Sequence, residues 1–204
     1  RCIHDNFILV QQMASVLHRQ KEARILLKLD ISKAFDSVSW PFLLEVLQFL
    51  GFGSFWCDIM AKMFRTASTR VLVNGEPGDL IFHQRGLRQG DPLSPMLFIL
   101  VMDVLNFLIK RAADLGLLLP LLRRGAGQRV SMYADDVVLF VQPVASELTL
   151  TKELLRVFGE ASGLVTNISK CSITPIRCSD QVVEEVQGAL NCNVVNFPCK
   201  YLGL

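Results

Sequence analysis

RVSMYADDVVLFV, residues 129–141, sets two β-prone runs on either side of a short acidic segment. Residues 129–133 and 137–141 form the runs, and Ala134, Asp135 and Asp136 lie between them. The pattern reads as a β-hairpin with an acidic tip. Carboxylates beside apolar strands are costly unless a cation or a metal pairs with them. A related arrangement stands upstream in RILLKLDI, residues 24–31, a short apolar run bounded by charge. It reads as a buried strand with Asp30 at or near its end. If the two strands are neighbours in one sheet, three carboxylates converge at one end of it. Such an oxygen-rich, partly hydrated cluster suits Mg²⁺. Two such ions can activate an attacking hydroxyl and stabilise a leaving phosphate oxygen. Taken alone, the same residues also fit a plain turn, since Asp tolerates turn geometry, and Asp30 fits a strand-end cap.

Working outward, residues 5–21 carry apolar side chains at helical spacing on one side. Ser39 followed by Pro41 signals a helix start, and that helix stops at Gly51. A further helix is expected over 55–64. Asn74-Gly75 after an alternating run predicts a tight hairpin, with 80–83 as its return strand. Residues 86–95 are rich in Gly and Pro and predict a loop before a long helix over about 94–115. Residues 115–128, with Gly125 and Gly127, read as an exposed connector. A helix over 147–161 stopped by Gly163, a strand over 172–176, a helix over 180–190 and a last strand over 197–202 complete the pattern. Strands and helices mixed with hairpins predict an α+β fold on an antiparallel sheet.

Composition sets wide bounds. The chain has 204 residues, 51% hydrophobic and 20% charged. That is a globular balance with enough chain for one core. The formal net charge is only +2, so a broad phosphate-binding face is not written into the overall charge. The run MLFILVM, 96–102, is interrupted by Asp103 and is far shorter than the roughly 20 residues of a membrane span. No membrane partner is expected. The six cysteines include two pairs with six residues between members, wider than usual zinc spacing. Without a secretory pattern at the start, free thiols in a reducing, intracellular setting are the expectation.

The motifs narrow the reading. KLDISKAFD, 28–36, resembles the first catalytic motif of reverse transcriptases, and YADD, 133–136, resembles their aromatic-X-Asp-Asp box. QRGLRQGDPLSPMLF, 84–98, is similar to the motif that shapes their nucleotide pocket. Residues 1–12, with His4-Asp5-Asn6, resemble the segment preceding the first motif. Asn167 to Cys171 resembles the later Asn-X-X-Lys motif, and YLGL, 201–204, the start of the primer grip. Order and spacing agree best with the LINE-type, non-long-terminal-repeat retrotransposon enzymes.

That resemblance implies a polymerase palm with an antiparallel sheet packed on helices, partial fingers and no thumb. It treats 1–204 as one domain fragment ending at the primer grip, weakly active or inactive by itself. The implied activity is RNA-directed DNA polymerase, adding deoxynucleotides to a primer 3′-hydroxyl by two-metal phosphoryl transfer. Its partners would be an RNA template, a DNA primer and deoxynucleoside triphosphates. Asp30 and Asp135 would bind both Mg²⁺ ions (Mn²⁺ being an alternative), with Asp136 assisting and the Ile31 carbonyl completing one sphere. Amides of Ser32, Lys33, Ala34 and Phe35 would lie under the triphosphate. The Phe35 ring would stand against the sugar 2′ position and exclude ribonucleotides, its other reading being a core phenylalanine. Gln89 and Gly90 would line the pocket for base and template, and Arg85 and Arg88 would meet template phosphates or stay solvated. Lys170 would protonate departing pyrophosphate, help typically worth about 10²–10⁴-fold. Tyr201, Leu202 and Gly203 would seat the primer end. The alternatives are an inactive retroelement remnant that only binds nucleic acid or protein, a palm-like cyclase, which has no use for QGDPLSP, and a group II intron-type enzyme.

Overall fold

The computed structural model describes residues 2–122 and 127–203. Arg1, Gly125 and Leu204, used in the sequence reading, lie outside them. Helix α1 (Ile3–Arg19) leads into strand β1 (Arg24–Leu29), then a single turn α2 (Ala34–Ser37) and helices α3 (Trp40–Phe49) and α4 (Ser54–Arg65). Ser39 caps α3 by accepting the Phe42 N–H, as Ser before Pro predicts. Strands β2 (Ser68–Val73) and β3 (Glu76–Phe82) form the separate hairpin turned by Asn74 (φ 52°) and Gly75 (φ 89°). Both turn residues have positive φ, the type I′ signature.

The long helix α5 (Ser94–Asp114) precedes the hairpin of β4 (Val130–Tyr133) and β5 (Asp136–Val141). Then come α6 (Ala145–Ser162), a 3-10 turn (Ile168–Lys170), β6 (Ser172–Ile176), α7 (Asp180–Leu190) and β7 (Asn193–Val194). The main sheet has the order β4-β5-β1-β6-β7. All its pairs are antiparallel except β6–β7, which is parallel. The fold is thus α+β on a largely antiparallel sheet, with one parallel edge that periodicity did not predict.

The central strands alternate between two buried faces. Ile25, Leu27, Leu29, Val137, Leu139 and Ile173 face the larger core beneath the helices from α3 to α7. Leu26, Val138, Phe140 and Ile176 face a smaller one, closed by Val10 and Leu17 of α1 with Leu121 and Tyr201. Lys28 and Asp30 follow Leu26 at the period-two positions, so this second face carries the polar end of β1. No helix among the described residues is long and apolar enough to cross a membrane.

Two expectations are corrected. Residues 197–202 form no strand; they bend at Pro198, and Tyr201 is buried instead by side-chain packing. The short edge strand is Asn193–Val194. The 115–128 connector is not simply exposed, because Leu118 and Leu121 are buried. Fully buried Glu147 holds this connector by accepting the Leu119 N–H at 3.0 Å, and it also accepts the Gln142 N–H at 2.9 Å and pairs with Arg129. Each carboxylate oxygen is satisfied, which a buried charge requires.

Backbone approaches as close as a glycine allows lock the segment between β1 and α3. Gly163 ends α6 with φ 80°, and a Cβ there would collide with the Ser37 carbonyl oxygen. Gly188 on α7 has open space around it. Gly163→Ala is therefore expected to cost about 2 kcal/mol or more, whereas Gly188→Ala should gain up to about 1 kcal/mol from helix propensity. Urea denaturation of the two variants reads the opposite signs.

Candidate active site

The acidic hairpin is as tight as its sequence suggests. Tyr133 pairs with Asp136, leaving Ala134 and Asp135 as the loop. Ala134 takes φ 51°, a left-handed conformation that costs a non-glycine residue about 1–2 kcal/mol. Lys33, just beyond Asp30, takes φ 47°. Strain thus sits beside the carboxylates on both strands, as it tends to at functional sites.

β1 and β5 pair in a register that ends at Leu29 opposite Val137. One further step sets Asp30 beside Asp136. Electrostatics report the same convergence. Asp136 is held above the ordinary carboxylate range, chiefly by burial, with the charges of Asp135 and Asp30 adding to the rise and Lys28 opposing it. Lys28 Nζ stands 4.0 Å from Asp136 Oδ1. Asp30, Asp135, Asp136, Ile31 and Lys170 all line one open cleft of about 600 Å³. Its other walls come from α1 (Phe7, Val10) and from residues 195–201.

Lys170 arrives there because its turn is tied to Asp30. The Asn167 N–H donates to the Asp30 carbonyl at 2.8 Å, and the Ser32 N–H donates to Val165 at 3.0 Å. These two bonds flank the Ile31–Thr166 bridge, so the Ile31 carbonyl takes no part in it. The Asp30 N–H points to buried Cys171 Sγ at 3.4 Å.

The pocket loop 84–91 docks on the segment after β1. The Leu87 N–H donates to the Phe35 carbonyl (2.6 Å), the Gly86 N–H to the Val38 carbonyl (2.8 Å), and the Trp40 indole to the Gly86 carbonyl (2.7 Å). A Cβ on Gly86 would lie 2.6 Å from the Asp36 carbonyl oxygen, so glycine is required there. Gln89 Nε2 reaches Asp36 Oδ1 at 3.5 Å. Gly90 is exposed with φ 86°. Phe35 stacks on Phe98 with ring centroids 4.5 Å apart. It also lines a second cleft beside Tyr133 and Ala134, so it is core-packed and exposed to that cleft at once.

Several expected residues stand apart. The Ser32 amide is already committed to Val165, which removes it from the set that could hold a triphosphate and leaves Lys33, Ala34 and Phe35. Arg85 and Arg88 are exposed and do not line the carboxylate cleft. Tyr201 lines it, while Leu202 packs on the smaller core and Gly203 is exposed. Lys28 received no role from the sequence, although its place two residues before Asp30 on the same strand face was a usable signal.

The donor set is all hard oxygen: three carboxylates and a backbone carbonyl, fitting a cation that keeps several waters and shares substrate phosphates. Among the described residues no three His, Cys, Asp or Glu side chains form a ready-made metal cage.

Comparison with known proteins shows the family to which the chain belongs. A family described as "Reverse transcriptase (RNA-dependent DNA polymerase)" matches residues 1–204. The chain is 34% identical over 173 residues to the Transposon TX1 uncharacterized 149 kDa protein of Xenopus laevis, covering 84% of this chain and 13% of that one. It is 30% identical over 173 residues to the Retrovirus-related Pol polyprotein from type-2 retrotransposable element R2DM of Drosophila melanogaster, covering 85% and 16%. The chain therefore spans only 13–16% of the length of these relatives. A solved telomerase from Candida albicans, in complex with a fragment of telomeric RNA, matches 88% of this chain and 31% of its own at 15% identity and TM-score 0.60. At that identity the likeness speaks for the fold.

Because Asp136 binds its proton more tightly when folded than when unfolded, its ionisation opposes folding in the window above the ordinary carboxylate pKa. Metal-free Asp136→Asn is expected to melt above the parent at neutral pH. The difference should shrink as pH falls through the raised pKa toward the ordinary carboxylate value, as Asp136 takes up its proton first in the folded and then in the unfolded chain. Thermal melts in chelator across pH 4–8 measure it.

Proposed function

The chain belongs to the reverse transcriptase (RNA-dependent DNA polymerase) family, and on that premise we propose that it extends a DNA primer on an RNA template with deoxynucleoside triphosphates. One observation carries the reading: Asp30 and the Asp135–Asp136 pair, distant from it in sequence, share one cleft with Lys170.

The reaction is attack of the primer 3′-hydroxyl on the α-phosphate, with pyrophosphate leaving in line. Two Mg²⁺ ions, when bound, would lower the pKa of the attacking hydroxyl and neutralise charge on the phosphates. Asp30, Asp135 and Asp136 would hold them, and the Ile31 carbonyl, which takes no part in the bridge to Thr166, would complete one sphere. Lys170 carries a proton at Nζ on the rim of the same cleft and gives it to the leaving pyrophosphate. The Phe35 ring, stiffened by its stack on Phe98, forms a wall that a ribose 2′-hydroxyl would strike. Gln89, fastened to Asp36, orients the incoming base and template from the pocket loop. Positioning and charge neutralisation supply most of the rate. Base pairing selects the nucleotide, so the protein reads duplex shape and backbone.

Primer extension on an RNA template tests the reading, using a polypeptide that contains this domain. Asp30→Ala, Asp135→Ala and Asp136→Ala should each lower kcat/KM by on the order of 10²–10³-fold or more. Parent and variants alike failing to extend would favour a chain that binds nucleic acid without catalysis, and equal extension by all would remove the catalytic assignment of the three carboxylates.

Phe35→Val should narrow the preference for deoxynucleotides over ribonucleotides, read as the ratio of their kcat/KM values. An unchanged ratio would leave Phe35 as core packing alone.

A further inference from the structure

A lysine stands in the strand that leads to the first carboxylate. Lys28 lies opposite Val138 of β5 on one side and Ser172 of β6 on the other, so its backbone is fixed at the centre of the sheet. Period-two alternation puts its side chain on the face of Asp30, two residues on. Asp136 lies two residues before Val138, which makes it the diagonal neighbour of Lys28 on that same face. The approach is direct: Lys28 Nζ is 4.0 Å from Asp136 Oδ1. Among the described residues, Lys28 is the one cation within ion-pair distance of Asp30, Asp135 or Asp136. Its ammonium has a second hold, the Lys200 carbonyl at 3.5 Å, and it lines the same cleft as the three acids.

Three carboxylates with one fixed ammonium behave differently from three carboxylates alone. A dication approaching Asp136 meets the repulsion of the ammonium. A nucleoside triphosphate, which carries several negative charges, meets a floor made less negative by one unit. One lysine thus acts with opposite sign on the two ligands. It weakens the hold on a free metal ion and eases the entry of an anionic nucleotide.

We propose that Lys28 is a tethered counter-cation of the metal site, which holds down the affinity of the empty cleft for free divalent ions and favours their arrival together with the nucleoside triphosphate. This rests on the primer-extension reading above. Lys28 makes no bond to the reacting atoms in this role, and its charge alone produces the effect.

Mn²⁺ titration, read from the electron paramagnetic resonance of the free ion, tests this on a polypeptide that contains the domain, without primer or nucleotide. Lys28→Met, close in length but uncharged, should bind Mn²⁺ about 3–10-fold more tightly, the scale of one unit charge acting on a dication through a water-rich dielectric. Lys28→Arg should stay near the parent. The Lys28 and Asp136 side chains are 35% and 41% exposed, so the gap between parent and Lys28→Met should narrow as salt rises. In primer extension at saturating Mg²⁺, Lys28→Met should raise KM for the nucleotide about twofold or more. A strand merely disturbed by the substitution would loosen both ligands, so the opposed signs separate charge from structure, and thermal melts check folding. An unchanged or weaker Mn²⁺ affinity in Lys28→Met, tighter binding that Lys28→Arg shares, or a nucleotide KM that does not rise in an active enzyme overturns the proposal and leaves the metal site in place. Absence of saturable Mn²⁺ binding in parent and Lys28→Met alike removes both. The titration needs no catalysis, so it decides the proposal even if the parent extends no primer.

Discussion

Three carboxylates can be gathered at one sheet end only if the pairing of β1 with β5 is fixed to the residue. Side chains alternate along a strand, so a slip of one position would send Asp136 to the opposite face. The register that ends at Leu29 opposite Val137 is set by what lies behind it. Ile25, Leu27, Leu29, Val137 and Leu139 all enter the larger core. Burying side chains of this size contributes about 1.5–3 kcal/mol each. That sum exceeds the cost of holding Asp136 partly desolvated and near two like charges. The core thus selects the register, and the register places the acids.

The wall beside them is built differently. The segment from Ser32 to Ser39 has one short helical turn and sends Ala34 and Val38 into the larger core. It is clamped from two sides by backbone contacts, the pocket loop through Gly86 and the end of α6 through Gly163. Main-chain bonds and excluded volume define a loop's path without depending on side-chain rotamers. Phe35 and Gln89 therefore start from a fixed backbone, and their stack and hydrogen bond need fix only the last torsions.

Legibility in the sequence followed the range of the interactions. The acidic hairpin, the Asn74-Gly75 turn and the Ser39 cap were readable because each depends on neighbours within a few residues. The motifs around Asp30 and Asp135 were readable through their resemblance to a known family, since the residues alone also fit a plain turn and a strand-end cap. Residues 197–202 and 115–122 were misread because burial, not local propensity, decides their course: Tyr201 finds its partner in β4, and the Leu119 N–H finds Glu147. Lys28 looked like any polar interruption of a strand until pairing with β5 brought Asp136 beside it. That the Ile31 carbonyl stays out of the bridge to Thr166 was likewise invisible, since it depends on which neighbours make that bridge.

The low overall charge and the proposed nucleic-acid substrate are reconciled by how charge is divided within the cleft. Its floor is acidic, through Asp30, Asp135 and Asp136. Lys28, Lys170 and Lys200 stand around that floor, and α1 supplies apolar surface through Phe7 and Val10. A uniformly basic groove would draw phosphates toward every point equally. An acidic floor repels them unless a divalent cation lies between, while nearby lysines still attract the backbone. Phosphate is then held where a cation can bridge it and is disfavoured elsewhere on the floor. On the proposed reaction, geometry at the reacting phosphate would come from this local alternation of sign, which a net charge of +2 does not reveal.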